Sequence, residues 1–225
     1  EKLIDAVIST GYFRLHSWER SVEIGAKYDI PVYAGLQETR VGDPQGNALR
    51  SSHPAARGRI LQALSAGVSG ISMYNAFNTY DPIFREAHDI AALEAGPRYF
   101  FPCVRGIGRP AGGPLSYEQL MTIPTIDPDH PQRLYSGDSF EVAISVPGSS
   151  KGQNTAEIRI RISGVDTPQT IGITLNGINI KLSPWKGDWY YAACGNALTS
   201  KENRISLSNN ARRKATLKDI LIAVL

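Results

Sequence analysis

The chain has 225 residues, of which 42% are hydrophobic and 20% charged, with a net charge of +3. That apolar content can fill a sizeable core and the charge is too low for disorder, so the length fits one large domain or two small ones. Lys and Arg are scattered, which argues against a nucleic-acid partner, and no apolar run approaches the roughly 20 residues that span a bilayer.

The chain opens Glu1-Lys2 directly before a strand-like segment, with no signal-peptide pattern. Such a start reads as the mature or truncated part of something longer. Residues 5–12 read as a strand, and residues 17–28 as a helix with Trp18, Val22 and Ala26 on one face. A second strand, Ile30-Pro-Val-Tyr-Ala-Gly-Leu36, runs into Gln37-Glu38-Thr39-Arg40. Residues 37–53 read as a polar loop, longer than the usual 2–6 residues or so between strand and helix. The next helix takes Ser51 or Ser52 as its cap, Pro54 in its first turn, Ala56, Ile60 and Leu64 as its apolar face and Gly67 as its stop. A third strand, Val68-Ser-Gly-Ile-Ser-Met-Tyr74, runs into Asn75-Ala-Phe-Asn78. Asp81-Pro82 then opens a helix that ends by Gly96.

Residues 102–137 are rich in Pro and Gly and read as a linker. Beyond them short alternating runs replace the helical pattern. Phe140, Val142, Ile144 and Val146 share a face, Ile158, Ile160 and Ile162 alternate with Arg159 and Arg161, and Asn176-Gly177 signals a tight hairpin. Residues 189–193, 204–208 and 216–225 complete about seven strands, with the basic run Arg212-Arg213-Lys214 as a solvated turn or, alternatively, a nucleic-acid or anion patch. This predicts a β-sandwich or jelly roll over 138–225.

Residues 1–101 supply only three strands with parallel-type connections. Such a sheet would have two open edges, whereas a closed (β/α)8 barrel needs eight strands in about 250 residues. The expected fold is therefore α/β plus all-β: about three β/α units forming the C-terminal part of a TIM barrel, followed by the sandwich. The remaining strands would lie upstream, or a second chain would cover the edges.

Function in such units collects where the strands end. In the second strand Val32, Ala34 and Leu36 read as the helix-facing side, leaving Tyr33, Gly35 and Gln37 pointing inward and Glu38 away by strict alternation. Glu38 is the strand-tip carboxylate, with Asp43 and Asp81 in the loops; its alternative is a carboxylate that is solvated or paired with Arg14, Arg40 or Arg50. Tyr12, Tyr33, Tyr74, Phe77 and Tyr80 could form an aromatic lining or belong to the core. Trp185, Trp189, Tyr190 and Tyr191 could form a stacking platform; the favoured alternative puts Trp189 and Tyr191 in the core and Tyr190 outside. The four His show no paired spacing, and there is no phosphate loop, so no metal or cofactor is implied. Cys103 and Cys194 read as free thiols or as a disulfide between the halves, which leaves the compartment open, the secreted or periplasmic space included.

Several segments together resemble a family of bacterial glycoside-hydrolase-like proteins in which a (β/α)8 barrel precedes a small β-sandwich. They are Ile4-Asp-Ala-Val-Ile-Ser-Thr-Gly-Tyr12, Ile30-Pro-Val-Tyr-Ala-Gly-Leu36, Ala66-Gly-Val-Ser-Gly-Ile-Ser-Met-Tyr-Asn-Ala-Phe77, Arg98-Tyr-Phe-Phe101, Leu175-Asn-Gly177 and Leu217-Lys-Asp-Ile-Leu-Ile222. The resemblance implies strands six to eight of the barrel. In one large clan of retaining barrel glycosidases the nucleophile ends strand seven, about where Glu38 falls, and the acid/base lies on a strand this chain lacks. The expected activity is hydrolysis or binding of a polysaccharide, with Glu38 catalytic and Tyr12, Arg14, Gln37, Arg40, Tyr74, Asn75 and Asn78 binding substrate. The rival expectation is a non-catalytic carbohydrate-binding or structural module.

Overall fold

A computed structural model of the chain describes residues 3–10, 17–36, 41–74, 76–102, 126–148, 155–165, 167–200 and 202–225. Its first part runs β1 (Val7–Thr10), α1 (Trp18–Lys27), β2 (Val32–Leu36), α2 (Pro44–Arg50), α3 (His53–Ser65), β3 (Gly70–Met73), α4 (Ile83–Glu86) and α5 (Ile90–Glu94). The three strands form a parallel sheet in the order β1-β2-β3. Tyr33 lies opposite both Ile8 and Gly70, and Ala34 opposite Ile71. Alternation then puts Val32, Ala34, Leu36, Ile71 and Met73 on the helix-facing side, where all five lie in or against buried structure. Gly25 of α1 sits against this side so closely that a Cβ there would lie 2.6 Å from the Ile30 carbonyl oxygen.

The opposite side of the sheet carries Ile8, Tyr33, Gly70 and Ser72. Ile8 is 56% exposed and Tyr33 37% exposed. Parallel sheets are ordinarily covered on both faces, so this one has an open face among the described residues.

Two stretches depart from the sequence expectation. The supposed loop of residues 37–53 contains α2, capped by Asp43, whose Oδ1 accepts from the Gly46 amide at 2.7 Å. Asp43-Pro44 is a cap followed by a first-turn proline, but Gly46 and Asn47 disguise the helix behind it. The single helix expected after Asp81-Pro82 is two short ones. Asp89 starts the second by accepting from the Ala91 and Ala92 amides. For α3 the expectation holds: Ser52 is the cap and Pro54 lies in the first turn.

The second part adds β4 (Arg98–Phe100), β5 (Gln132–Leu134), β6 (Ser139–Ser145), β7 (Ala156–Ser163), β8 (Ile171–Leu175), β9 (Ile178–Asn179), β10 (Ser183–Pro184), β11 (Trp189–Ala193), β12 (Glu202–Asn209) and β13 (Ala215–Val224). The fold is thus mixed helix and sheet, with one parallel and two antiparallel sheets. The order β10-β11-β7-β13-β4, with β5 also on β13, makes a six-stranded sheet; β6-β12-β8-β9 makes a four-stranded one. Ile158, Ile160, Ile162, Ile220 and Ile222 from the first share a buried core with Val142, Ile144, Ile173, Leu175, Ile205 and Leu207 from the second. The β8-β9 hairpin turns on Asn176 and Gly177, both at positive φ (52° and 81°), as the Asn-Gly signal predicts.

The six-stranded sheet is covered on its other face too. Trp189, Leu221 and Ala223 pack there with Ala55 of α3 and Phe101. Gly58 of α3 rides directly on β4: a Cβ there would meet the Tyr99 carbonyl, 2.8 Å from its carbon. Gln62 Nε2 donates to the Ser145 carbonyl at 2.7 Å. Within β13 the register shifts between Leu217 and Asp219, a bulge that leaves Lys218 as the extra residue. Cys194 is a buried free thiol that burial pushes up to about 12, so it is not a reactive thiolate. Cys103 lies outside the described residues.

Candidate functional site

The tips of β2 and β3 lie side by side: the Tyr74 amide donates to the Leu36 carbonyl at 3.1 Å. Alternation places Tyr74 on the open face with Tyr33, Gly70 and Ser72, and its ring is exposed. Phe77 and Tyr80 are more exposed still. None of the four belongs to the core. Asn78 shapes the turn, its Oδ1 accepting from the Tyr80 amide at 3.2 Å and its carbonyl from the Asp81 amide at 3.1 Å. Tyr12, Arg14, Gln37, Glu38, Arg40 and Asn75 lie outside the described residues.

Behind the aromatic turn stands a charged cluster that sequence reasoning missed. Arg57 of α3 grips Glu86 of α4 with two bonds of 2.7 Å, and His53 Nε2 lies 3.0 Å from the same carboxylate. Asp81 Oδ1 accepts from the Ile83 amide at 3.0 Å and faces His53 Nδ1 at 3.7 Å. The Arg57 bond holds the Glu86 carboxyl below its ordinary value, against the opposing pull of burial, and His53 adds to it. The cluster ties the start of α3 to the segment that carries Phe77 and Tyr80. The signal was faint, since His53 and Arg57 lie far in sequence from Asp81 and Glu86, and Asp81 reads alone as a helix cap.

The loop after β2 is fastened equally firmly. The Gly42 and Asp43 amides donate to the two carboxylate oxygens of Asp129 at 2.6 and 3.1 Å. Asp43 Oδ1 also meets Arg161 Nη1 of β7 at 2.8 Å. Burial would raise the Asp43 carboxyl, but the Gly46 amide and Arg161 hold it below the usual range. Arg161 goes on to Asp188, which Lys218 also binds, at 2.7 Å. Both loop carboxylates suggested by the sequence, Asp43 and Asp81, are therefore engaged in holding their loops.

Arg50, a candidate partner for Glu38, which lies outside the described residues, is turned by α2 onto the six-stranded sheet. There its guanidinium makes two bonds to Asp219, of 2.5 and 2.6 Å, with both side chains fully buried and the group stacked 4.5 Å over Phe101. A carboxylate this deep in β13 needs a cation, and α2 supplies it.

The aromatic run of β11 is arranged differently from the favoured reading. Trp189 is buried, as expected, but Tyr190 packs against the main core and Tyr191 is 37% exposed. The reason is that both faces of the sheet are covered, so Tyr190 has an inner face to fill while Tyr191 lies beyond the helices. Among the described residues no group of three or more His, Cys, Asp or Glu could hold a metal, and no helix is long and apolar enough to cross a membrane.

No family model and no curated protein matches the chain. Among solved structures it is similar to the protein BuGH86 in complex with neoagarooctaose, with TM-score 0.38 and 10% identity over 56% of this chain and 18% of that one. It is also similar to a β-porphyranase of glycoside hydrolase family 86 from the human gut bacterium Bacteroides plebeius, with TM-score 0.35 and 12% identity over 57% of this chain and 20% of that one. A de novo designed double-stranded β-helix gives TM-score 0.26 and 22% identity over 41% of this chain and 92% of the design. The chain spans about a fifth of the two hydrolases. At TM-scores this low, the likeness assigns neither a fold nor an activity to it.

Proposed function

We propose that the chain is the C-terminal part of a glycoside-hydrolase-like protein that hydrolyses or binds a polysaccharide. The first part is the last β/α units of a (β/α)8 barrel and 138–225 a β-sandwich; the expected bounds of 1–101 for the barrel and 102–137 for a connection shift, since β4 and β5 pair with β13 in the six-stranded sheet. The observation that carries the proposal is the one-sided parallel sheet. Its strands follow in chain order with helices on one side, while Ile8 and Tyr33 stand exposed on the other. In a closed barrel that second side is the lumen, and the strand tips are the site.

In this reading Glu38 is a catalytic carboxylate, and Gln37, Arg40, Tyr12, Arg14, Tyr74, Asn75 and Asn78 line the sugar subsites. Glycoside hydrolysis takes two carboxylates, about 5–5.5 Å apart for retention and about 6.5–9.5 Å for inversion. The second would come from an upstream strand. The test is turnover of a glycan panel by the full-length protein beside its Glu38→Gln variant. Loss of a general acid/base or nucleophile costs about 10²-fold or more. Unchanged turnover removes Glu38 from the mechanism.

One observation favours the rival reading, a non-catalytic binder. Asp43 is paired with Arg161, and Asp81 accepts from the Ile83 amide with His53 3.7 Å away, so among the described residues both loop carboxylates already have partners. An upstream barrel strand ending in Glu or Asp decides for the enzyme, and its absence for the binder.

A further inference from the structure

The outer face of the six-stranded sheet extends past the edge of α2 and α3, and its uncovered part has a definite construction. Trp185 follows β10 and pairs with β11, its amide donating to the Trp189 carbonyl at 3.0 Å. Its ring is 54% exposed. It is nonetheless held from two sides. The buried Trp189 ring meets it edge-on, with centroids 6.5 Å apart and planes at 75°. The Arg159 guanidinium backs it at 4.6 Å from the ring centroid and lies 5.4 Å from Tyr99 on its other flank. Arg159 is fixed in turn by two bonds to Glu157 Oε2, at 3.0 and 2.9 Å.

Register puts Tyr191 on this same face, opposite both Arg159 and Ser183. Two exposed rings therefore stand as diagonal neighbours beside a carboxylate that keeps Oε1 without a hydrogen bond among the described residues. Ordering an aromatic ring before a ligand arrives removes part of the entropic cost of binding. A surface meant only to be solvated needs no such bracing, and a protein interface would bring a broader apolar patch than two rings.

We infer that Trp185 and Tyr191 form a second saccharide-binding surface, separate from the strand tips. Its ligand is a pyranose chain: C–H faces lie on the two rings, and a ring hydroxyl donates to Glu157 Oε1. The inference rests on the carbohydrate reading above but not on the barrel tips, and it holds whether or not the protein is catalytic.

The test is retention of the full chain in native gels cast with soluble polysaccharides, followed by calorimetry on the polysaccharide that retards it most. Trp185→Ala and Tyr191→Ala should each weaken binding, by about tenfold or more for the Trp, the effect of exposing that much buried apolar surface. Trp185→Phe should restore part of it, and Glu157→Gln should weaken binding without altering the fold. Tyr74→Ala serves as the reporter of the strand tips. Binding lost with Trp185 but kept with Tyr74→Ala supports the inference. Binding lost with Tyr74 and unchanged with Trp185→Ala overturns it and leaves the strand-tip proposal standing. No retardation by any polysaccharide overturns both.

Discussion

The two sheets that flank the helices show opposite degrees of completion. In β13 every residue from Asp219 to Val224 is buried, because β7 and its neighbours carry a second sheet on one side and α2 and α3 on the other. In the parallel sheet only the helix side is covered among the described residues, and Tyr33 and Ile8 stand exposed. The lesson is that completeness of packing divides along the chain. The antiparallel part holds the finished core, and the parallel part offers an unfinished face with its loop ends fastened to that core.

The comparison can be broken first at the ion pair. Arg50→Leu or Asp219→Ala strands a fully buried charge and should cost about 3–5 kcal/mol in urea unfolding, whereas the pair Arg50→Met with Asp219→Leu should be near neutral. A single variant losing less than about 1 kcal/mol would mean that α2 does not stay docked on the sheet. Gly58→Ala should come next. Its Cβ would collide with the Tyr99 backbone, so α3 must lift from β4 at a cost of about 1–3 kcal/mol. Asp43→Ala removes a cap and an ion pair together and should cost about 1 kcal/mol, read as a lowered Tm.

A pH series sharpens the same point. Asp43, Glu86 and Asp188 all have folded values below their ordinary ones. Groups depressed on folding add stability that is present above the unfolded carboxylate values near 4 and is lost as pH falls through the folded values. The unfolding midpoint should therefore fall below about pH 4, and less steeply in Asp43→Asn. The smallest effect belongs to the open face: Tyr33→Ser should change stability by no more than about 0.5 kcal/mol. A large loss there would show that something covers the sheet.

Much of this fold was legible in the sequence. Alternation found the core faces of β6, β7 and β8, Asn176-Gly177 placed the hairpin, and Ser52 with Pro54 started α3. What was hidden depended on tertiary partners. Nothing near Arg50 in sequence announces Asp219, and α2 hid behind turn-forming residues. For β11, alternation gives the period but not which face is covered, so Tyr190 and Tyr191 were exchanged. The strand endings pointed to the tips of β2 and β3 as the place for a site, while the His53, Arg57 and Glu86 cluster required two separate helices, α3 and α4, to meet.

The extra residue in β13 has a wider consequence. Ahead of Lys218 the inward positions are Ala215 and Leu217; after it they are Ile220, Ile222 and Val224. One residue thus changes the strand from odd to even phase. Deleting Lys218 would restore plain alternation, with Leu217 inward, Asp219 outward and Ile220 inward, so the core and the Arg50 pair would keep their places. Deleting Ile220 instead would turn Leu221 and Ala223 into the core and expel Ile222, because nothing then absorbs the change of phase. Lys218 is thus the position in this strand where the loss of a residue can be tolerated, and its neighbours are not.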